Sequence, residues 1–331
     1  MNFLVTAGLV PESIAALEKW GKVRYEYFGE KMHILGGRKL IAALQEVDVF
    51  ITEADQVRKP VLQAAPRLKV IGCCRGNPVN IDIPAATERG IPVLITPGRN
   101  AVSVAELTIA FMISLARNVF QTAAMLRERQ PGAFSLNLGK VFLEYKGMEI
   151  HSKTVGLIGL GAVGREVARR LVPFGCRLLA YDPYVKEVEP GVEMVPLEQL
   201  LRESDFVSIH AAVTEETRGL LRAEQFAMMK QGAFLINLAR AAIIDEEALA
   251  EALQKGHLGG AALDVFSQEP PPPDHPLLQL DNVIATPHIG GNTHDVIRHQ
   301  SRIIVEDLIR LFESRSPKYC VNPQVLDSFS I

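Results

Sequence analysis

The stretch Gly159-Leu160-Gly161-Ala162-Val163-Gly164 decides the reading of this chain through what flanks it. Before it, Thr154-Val155-Gly156-Leu157-Ile158 is a short apolar run that reads as a buried parallel strand. After it, Arg165 to Phe174 has helical spacing, and a second apolar run, Arg177-Leu178-Leu179-Ala180-Tyr181, ends at Asp182. Strand, glycine turn, helix, strand and acid in this order is the arrangement that binds a dinucleotide. Gly159 permits the tight turn. Gly161 lets the backbone approach a pyrophosphate, and Gly164 lets helix and strand pack closely. The helix start, with Ala162, Val163 and Gly164, supplies free N–H groups and positive potential for phosphates.

A glycine turn alone is weak, because a plain strand-to-helix turn has the same spelling. The acid in register makes it specific. Asp182 is placed to accept hydrogen bonds from the adenosine ribose hydroxyls and to repel a 2′-phosphate. Pro183 and Tyr184 offer no arginine to welcome one, so the expected cofactor is NAD rather than NADP.

At 331 residues the chain has room for about two domains. Apolar residues make up 48% and charged residues 22%, an ordinary globular balance. The net charge is −3 and no long basic block occurs, so a nucleic-acid partner is not expected. The start, Met1 to Thr6, reads as a first strand rather than a signal peptide, and no apolar run approaches 18 residues, so no membrane partner is expected. Cys73, Cys74, Cys176 and Cys320 form no CxxC pair, and no metal site is expected. Free thiols fit a reducing cytoplasm.

Strand-like and helix-like segments alternate twice along the chain. In the first series Phe3–Thr6, Val47–Thr52, Leu68–Cys74 and Val93–Thr96 read as strands. Glu12–Trp20, Lys39–Gln45, Pro60–Ala65 and Ile83–Glu88 read as helices. One long helix is expected over about Ser103–Glu128, stopped by Gln130-Pro131-Gly132, and then a loop-rich segment over Ala133–Gly147. The second series places strands at Phe206–His210, Phe234–Asn237, Gly260–Asp264 and Val283–Ala285. Its helices fall at Arg222–Met228 and Glu246–Lys255. A last long helix covers about His294–Glu313. The two long helices would each carry the chain between two lobes, the first lobe being discontinuous, with a ligand cleft between them.

Three polar residues follow predicted strands of the second series. Arg240 follows Phe234 to Ala239, Glu269 follows Leu263 to Gln268, and His288 follows Val283 to Pro287. Ligands bind at that edge of an open α/β sheet. A guanidinium, a carboxylate and an imidazole there form a complete set for hydride transfer at a carbon bearing a hydroxyl. His288 supplies a proton near neutral pH. Glu269 favours its charged form and fixes its tautomer. Arg240 binds a carboxylate and polarises the neighbouring carbonyl. Taken singly, each has an ordinary alternative: a surface ion pair, a solvated loop charge, a turn histidine.

The chain resembles the D-isomer-specific 2-hydroxyacid dehydrogenase family over about residues 45–325. The matching stretches are Thr154–Gly164, Asn237-Leu238-Ala239-Arg240-Ala241, Ala262–Pro270 and Ala285–Gly291. Val104-Ala105-Glu106 and Gly90-Ile91-Pro92-Val93 before Pro97-Gly98 also match. The resemblance implies an α/β fold of two Rossmann-like or flavodoxin-like lobes with parallel sheets. Residues 1–101 plus 293–331 would form the substrate-binding domain and 102–292 the NAD-binding domain. It implies Arg240, Glu269 and His288 as the catalytic set, and a homodimer formed through the nucleotide domains. Thr214, Ala239, Asp264 and Gly290 would be further cofactor contacts. The implied activity interconverts a 2-oxo acid and a D-2-hydroxy acid, as in phosphoglycerate dehydrogenases and glyoxylate reductases, here without a regulatory domain.

The family's substrate loop corresponds to Cys74-Arg75-Gly76-Asn77-Pro78-Val79-Asn80-Ile81-Asp82, whose backbone N–H groups would hold the substrate carboxylate. Arg75, Gly76 and Asn77 are the candidate substrate contacts there, with Arg240. Arg75 and Asn77 depart from the usual glycine-rich loop. They read either as an added anion or hydroxyl contact or, for Arg75, as an ion pair with Asp82 or another loop acid, the commoner state of an arginine. Ala241 and Val213 are milder departures. A rival reading on the same fold is an NADH-sensing corepressor-like protein, against which the lack of disordered tails and basic arms argues. Another is an enzyme using a different acid, such as phosphite.

Overall fold

The computed structural model of the protein describes residues 1–27, 29, 34–127 and 138–329. The chain divides into two compact units, one of residues 1–99 and 293–331, the other of residues 100–292.

The first unit opens with β1 (Asn2–Val5), α1 (Pro11–Glu18), β2 (Lys22–Tyr25), α2 (Gly37–Leu44) and β3 (Val49–Thr52). It continues with α3 (Lys59–Gln63), β4 (Val70–Cys73), α4 (Ile83–Glu88) and β5 (Val93–Ile95). The five strands form one sheet in the order β2-β1-β3-β4-β5, every pair parallel. β3 and β4 are buried along their whole length, which is why they read as unbroken apolar runs instead of alternating ones. Asp82 caps α4 by accepting the Ala85 N–H at 3.1 Å.

The second unit starts with α5 (Ala101–Ala116), α6 (Val119–Arg127) and α7 (Leu138–Glu144). The single helix expected over 103–128 is therefore two, bent by 70° at Arg117-Asn118. Asn118 takes a left-handed conformation, φ 51°, which asparagine tolerates better than most residues. The expected stop at 130–132, and Glu128 itself, lie outside the described residues. Within the segment expected to be loop, α7 is a helix, and 133–137 lie outside the described residues.

Then follow β6 (Thr154–Ile158), α8 (Ala162–Leu171), β7 (Arg177–Tyr181), β8 (Val192–Met194), α9 (Leu197–Glu203) and β9 (Phe206–Ile209). The unit closes with α10 (Ala223–Met228), β10 (Phe234–Asn237), α11 (Glu246–Gln254), β11 (Gly260–Leu263) and β12 (Val283–Ala285). Seven parallel strands run in the order β12-β11-β10-β9-β6-β7-β8. The order reverses at β6, whose neighbours are β7 on one side and β9 on the other. Such a reversal opens a crevice at the carboxyl ends of the strands. One face of the sheet is covered by α5 and α8, the other by α9, α10 and α11. α8 turns Gly164, Val167, Ala168 and Leu171 inward at helical spacing.

The chain then returns to the first unit as α12 (His294–Phe312). Ile304, Val305, Leu308 and Leu311 pack with Phe3, Val5, Val49 and Val70 of the small sheet. Each such side chain taken wholly out of water contributes roughly 1.5–3 kcal/mol. Among the described residues no single helix is long and apolar enough to cross a membrane.

Candidate active site

The glycine turn lies between β6 and α8. Gly159 has φ 95°, and a Cβ there would come within 2.6 Å of the Ala211 nitrogen. A Cβ on Gly164 would stand 2.2 Å from the Gly159 carbonyl oxygen. A Cβ on Gly161, by contrast, meets nothing within 4 Å: its backbone faces open space. Gly161 is also the N-cap of α8 and has no side chain to close the first N–H groups, those of Ala162, Val163 and Gly164. Asp182, at the end of β7, is oriented by two backbone donors. Its Oδ2 accepts from Leu160 N at 2.9 Å and its Oδ1 from Tyr184 N at 3.0 Å. The acid thus braces the glycine turn from the neighbouring strand.

Arg240, Glu269 and His288 come from the carboxyl ends of three adjacent strands, β10, β11 and β12. Asn237, fully buried, shapes the first of these loops. Its Oδ1 accepts from Ala239 N at 3.0 Å and its Nδ2 donates to the Arg240 carbonyl at 3.0 Å. The Arg240 guanidinium donates to the Ala239 carbonyl at 2.7 Å and is otherwise exposed.

Nδ1 of His288 lies 2.8 Å from Oε2 of Glu269, and Oε1 of Glu269 accepts the Phe266 N–H at 3.2 Å. Partial burial disfavours the carboxylate, but the His288 bond, the Phe266 N–H and the charges of His288 and Arg240 outweigh it. The Glu269 carboxyl is held below its usual range. His288 itself sits at φ 55°, a strained conformation for histidine, costing about 1–3 kcal/mol. Asp264 holds it there. Buried at the end of β11, Asp264 accepts from Thr286 Oγ1 at 2.5 Å, Ile289 N at 2.8 Å and Gly290 N at 2.7 Å, spanning His288 on both sides. Ser103 of α5 donates to the Gly290 carbonyl at 2.6 Å and closes the loop from below.

Arg240, Glu269 and His288 line one cavity of about 890 Å³, together with Arg218, Val265 and Phe266. The sequence reading did not single out Arg218, Asn237 or His210. His210 directly follows β9, between the glycine turn and the three loops, with Nε2 2.9 Å from Ser208 Oγ. Though the residue keeps some exposed surface, its ring is buried deeply enough that the imidazole stays neutral down to about 3. Like Arg240, it is a polar residue closing an apolar strand, and that position was the available signal. Thr214 lies in the loop after β9, where its N–H donates to Thr217 Oγ1 at 2.7 Å.

Arg75, Gly76 and Asn77 follow β4 in the first unit. The ion pair weighed for Arg75 is not formed. Asp82 is engaged as the cap of α4, and Arg75 has no acidic partner among the described residues.

Residues 109–290 match the family described as D-isomer specific 2-hydroxyacid dehydrogenase, NAD binding domain. The chain belongs to the D-isomer-specific 2-hydroxyacid dehydrogenases. It is 41% identical over 275 residues to a hydroxypyruvate reductase of Thermotoga maritima, covering 82% of this chain and 87% of the relative. It is 38% identical over 327 residues to a D-3-phosphoglycerate dehydrogenase of Methanocaldococcus jannaschii. That match covers 97% of this chain but only 59% of the relative's length. A crystal structure of a Thermus thermophilus protein superposes with a TM-score of 0.80 at 36% identity, covering 97% of this chain and all of that one.

This 2-hydroxyacid dehydrogenase uses NAD, and its second unit contains the family's NAD-binding domain. The open space at Gly161, the uncapped start of α8 and the braced Asp182 carboxylate fit a dinucleotide.

Proposed function

We propose that the chain interconverts a 2-oxo acid and a D-2-hydroxy acid, with His288 as the acid and base. The observation that carries this reading is the 2.8 Å Glu269–His288 contact in the same cavity as Arg240. When bound, the nicotinamide exchanges the hydride with the acid. Arg240 binds the acid's carboxylate through its planar fork and polarises the adjacent carbonyl. Glu269 acts through His288: with Nδ1 engaged, the other ring nitrogen is left to give a proton to the oxygen that gains charge during reduction, and to take it back during oxidation. Glu269 also steadies the positive charge that His288 carries before it donates.

The glycine turn, with Ala162, Val163 and Asp182, is proposed to hold the pyrophosphate and ribose. Thr214, Ala239, Asp264 and Gly290 are proposed as further contacts, the last two through the loop they fix. The first unit, with the loop Arg75-Gly76-Asn77, is proposed as the substrate-binding domain. The enzyme is further proposed to act in the cytoplasm as a homodimer. α6 and α7 expose Val119, Phe120, Leu126, Phe142 and Leu143, an apolar surface suited to a second copy. Sedimentation of the protein and of Phe142→Asp, the latter expected to be monomeric, tests that assembly.

The activity is tested by following NADH absorbance with glyoxylate, hydroxypyruvate, pyruvate, and branched, aromatic and sugar-derived 2-oxo acids. Turnover of one or more is the expected result. Silence across the panel, with NADH bound, would overturn it and favour an NADH sensor.

A further inference from the structure

The loop that carries Glu269 has little backbone structure to fix it. Residues 267–270 are exposed, and among the described residues no backbone–backbone hydrogen bond ties 266–270 to the rest of the unit. Yet Glu269 keeps its carboxylate 2.8 Å from His288. Besides the buried Phe266 side chain, what holds the loop is a second acid. Glu246, in the first turn of α11, has a side chain only 13% exposed. Its Oε1 accepts the Ser267 N–H at 3.0 Å and its Oε2 the Ser267 hydroxyl at 2.5 Å. Two consecutive N–H groups are thus divided between two carboxylates, that of Phe266 going to Glu269 and that of Ser267 to Glu246.

Glu246 is itself well fixed. Asp245 caps α11 by accepting the Ala248 N–H at 3.0 Å, and its own N–H donates to the Leu221 carbonyl at 2.9 Å. His275 closes the far side. Its Nδ1 accepts the Leu277 N–H at 3.3 Å, so the hydrogen of the neutral ring is on Nε2, 3.6 Å from Glu246 Oε2. The same ring meets Phe266 edge to face, with centroids 5.4 Å apart. Glu246 also lines the cavity that holds Arg240 and His288, but both its oxygens are committed to Ser267.

We propose that Glu246 is a positioning residue for the reaction: it clamps the 266–269 loop to α11 and so, through Glu269, sets the alignment of His288. The inference rests on the function proposed above, which makes His288 the acid and base. A carboxylate suits the task because it accepts from a backbone N–H and a hydroxyl at once, and its charge strengthens both bonds.

The test is a double-mutant cycle of Glu246→Ala with Glu269→Ala, with Glu246→Gln and Ser267→Ala beside it, on a 2-oxo acid that the panel shows to be turned over. Glu246→Ala is expected to lower kcat by about 10- to 100-fold, the cost of a small misplacement at the proton-transfer step, and to leave NADH affinity within about twofold of wild type. Glu246→Gln keeps an acceptor for the Ser267 N–H and should recover most of the rate. In the Glu269→Ala background, Glu246→Ala should cost less than about threefold, because nothing is left to position. An equal loss in both backgrounds overturns the proposal and leaves the Glu269–His288 reading standing. So does a wild-type kcat in Glu246→Ala. Should Glu246→Ala fail to fold, Ser267→Ala takes its place in the cycle with the same two outcomes. Normal turnover by Glu269→Ala removes the proposed mechanism and the clamp with it. If no acid turns over, the ring-nitrogen NMR resonances of His288 are read instead. In the wild type the neutral ring should carry its hydrogen on Nδ1, toward Glu269. Loss of that single tautomer in Glu246→Ala supports the clamp, and an unchanged spectrum overturns it.

Discussion

Glu269 grips His288 with one carboxylate oxygen and its own loop with the other, the Phe266 N–H at 3.2 Å and the imidazole at 2.8 Å. One side chain therefore sets both the position and the charge balance of the proposed acid. Glu269 remains anionic through neutral pH and into the acid range, because its carboxyl is held below the usual value. Glu269→Gln keeps a hydrogen-bond acceptor and removes the charge. Reduction should slow by about 10- to 100-fold in kcat/KM, because the donating imidazole loses the charged partner that orients it. Steady-state kinetics check this, and near-normal kcat/KM would remove Glu269 as the partner of His288. Stability contributed by the depressed carboxyl is present above the ordinary carboxylate range and lost as the pH falls through the depressed value.

Replacing His288 with alanine should lower turnover by at least about 100-fold and leave NADH affinity nearly unchanged. Stopped-flow hydride transfer and NADH fluorescence titration separate the two. Near-normal turnover would take His288 out of the mechanism.

Asp182→Ala removes the proposed ribose acceptor and also the brace on Leu160 N–H and Tyr184 N–H. NADH should bind about tenfold more weakly, since a lost charged hydrogen bond costs about 1.5–3 kcal/mol. Rejection of NADPH should relax. Unchanged discrimination between the two cofactors would sink the ribose assignment.

A methyl group at Gly164 has to push α8 off β6, because a Cβ there falls 2.2 Å from the Gly159 oxygen. Gly164→Ala is expected to cost about 1–3 kcal/mol or more. Differential scanning calorimetry should show Tm lowered by about 2–10 °C. A wild-type Tm would mean that the strand and helix can separate without penalty.

Burial holds His210 neutral down to about 3, while the same residue in the unfolded chain takes a proton near its ordinary 6.5. Between those values the unfolded state binds the extra proton, so stability falls as the pH drops from about 6.5 toward 3. His210→Asn should flatten that acid limb in urea titrations run across the range. An unaltered limb would show that His210 does not contribute to it.

Much of this architecture is legible in the residues because the central strands are buried on both faces. β3, β4, β9 and β11 stand out as apolar runs, and Gly159, Asp182 and Pro287 punctuate the ends of β6, β7 and β12. Of the four edge strands the sequence reading finds β5 and β12 and misses β2 and β8. There one side lacks a neighbour, and polar residues such as Lys22, Arg24 and Glu193 interrupt the run. α9 is missed as well, although the shorter α3, α4 and α10 are read. The bend at Arg117-Asn118 is hidden because neither residue is a glycine or proline and apolar residues continue beyond it. The candidate set Arg240, Glu269 and His288 shows through strand-end position. Its supports do not: that Asp264 straddles His288, or that Asn237 ties Ala239 to Arg240, depends on side-chain directions that only three dimensions contain.

The return of α12 to the small sheet sets an order of events during synthesis. Residues 1–99 leave the ribosome with the face built from Phe3, Val5, Val49 and Val70 covered only in part, by Leu9 and Leu17, and the rest of its cover, Ile304 to Leu311, follows only after the intervening 100–292. At about 5–20 residues per second that delay is on the order of 10–40 s. The uninterrupted second unit can fold within it, whereas the first cannot finish. The nascent chain thus exposes a sticky half-core for most of its time on the ribosome, and translation arrested before 294 should yield an aggregation-prone fragment rather than a folded domain.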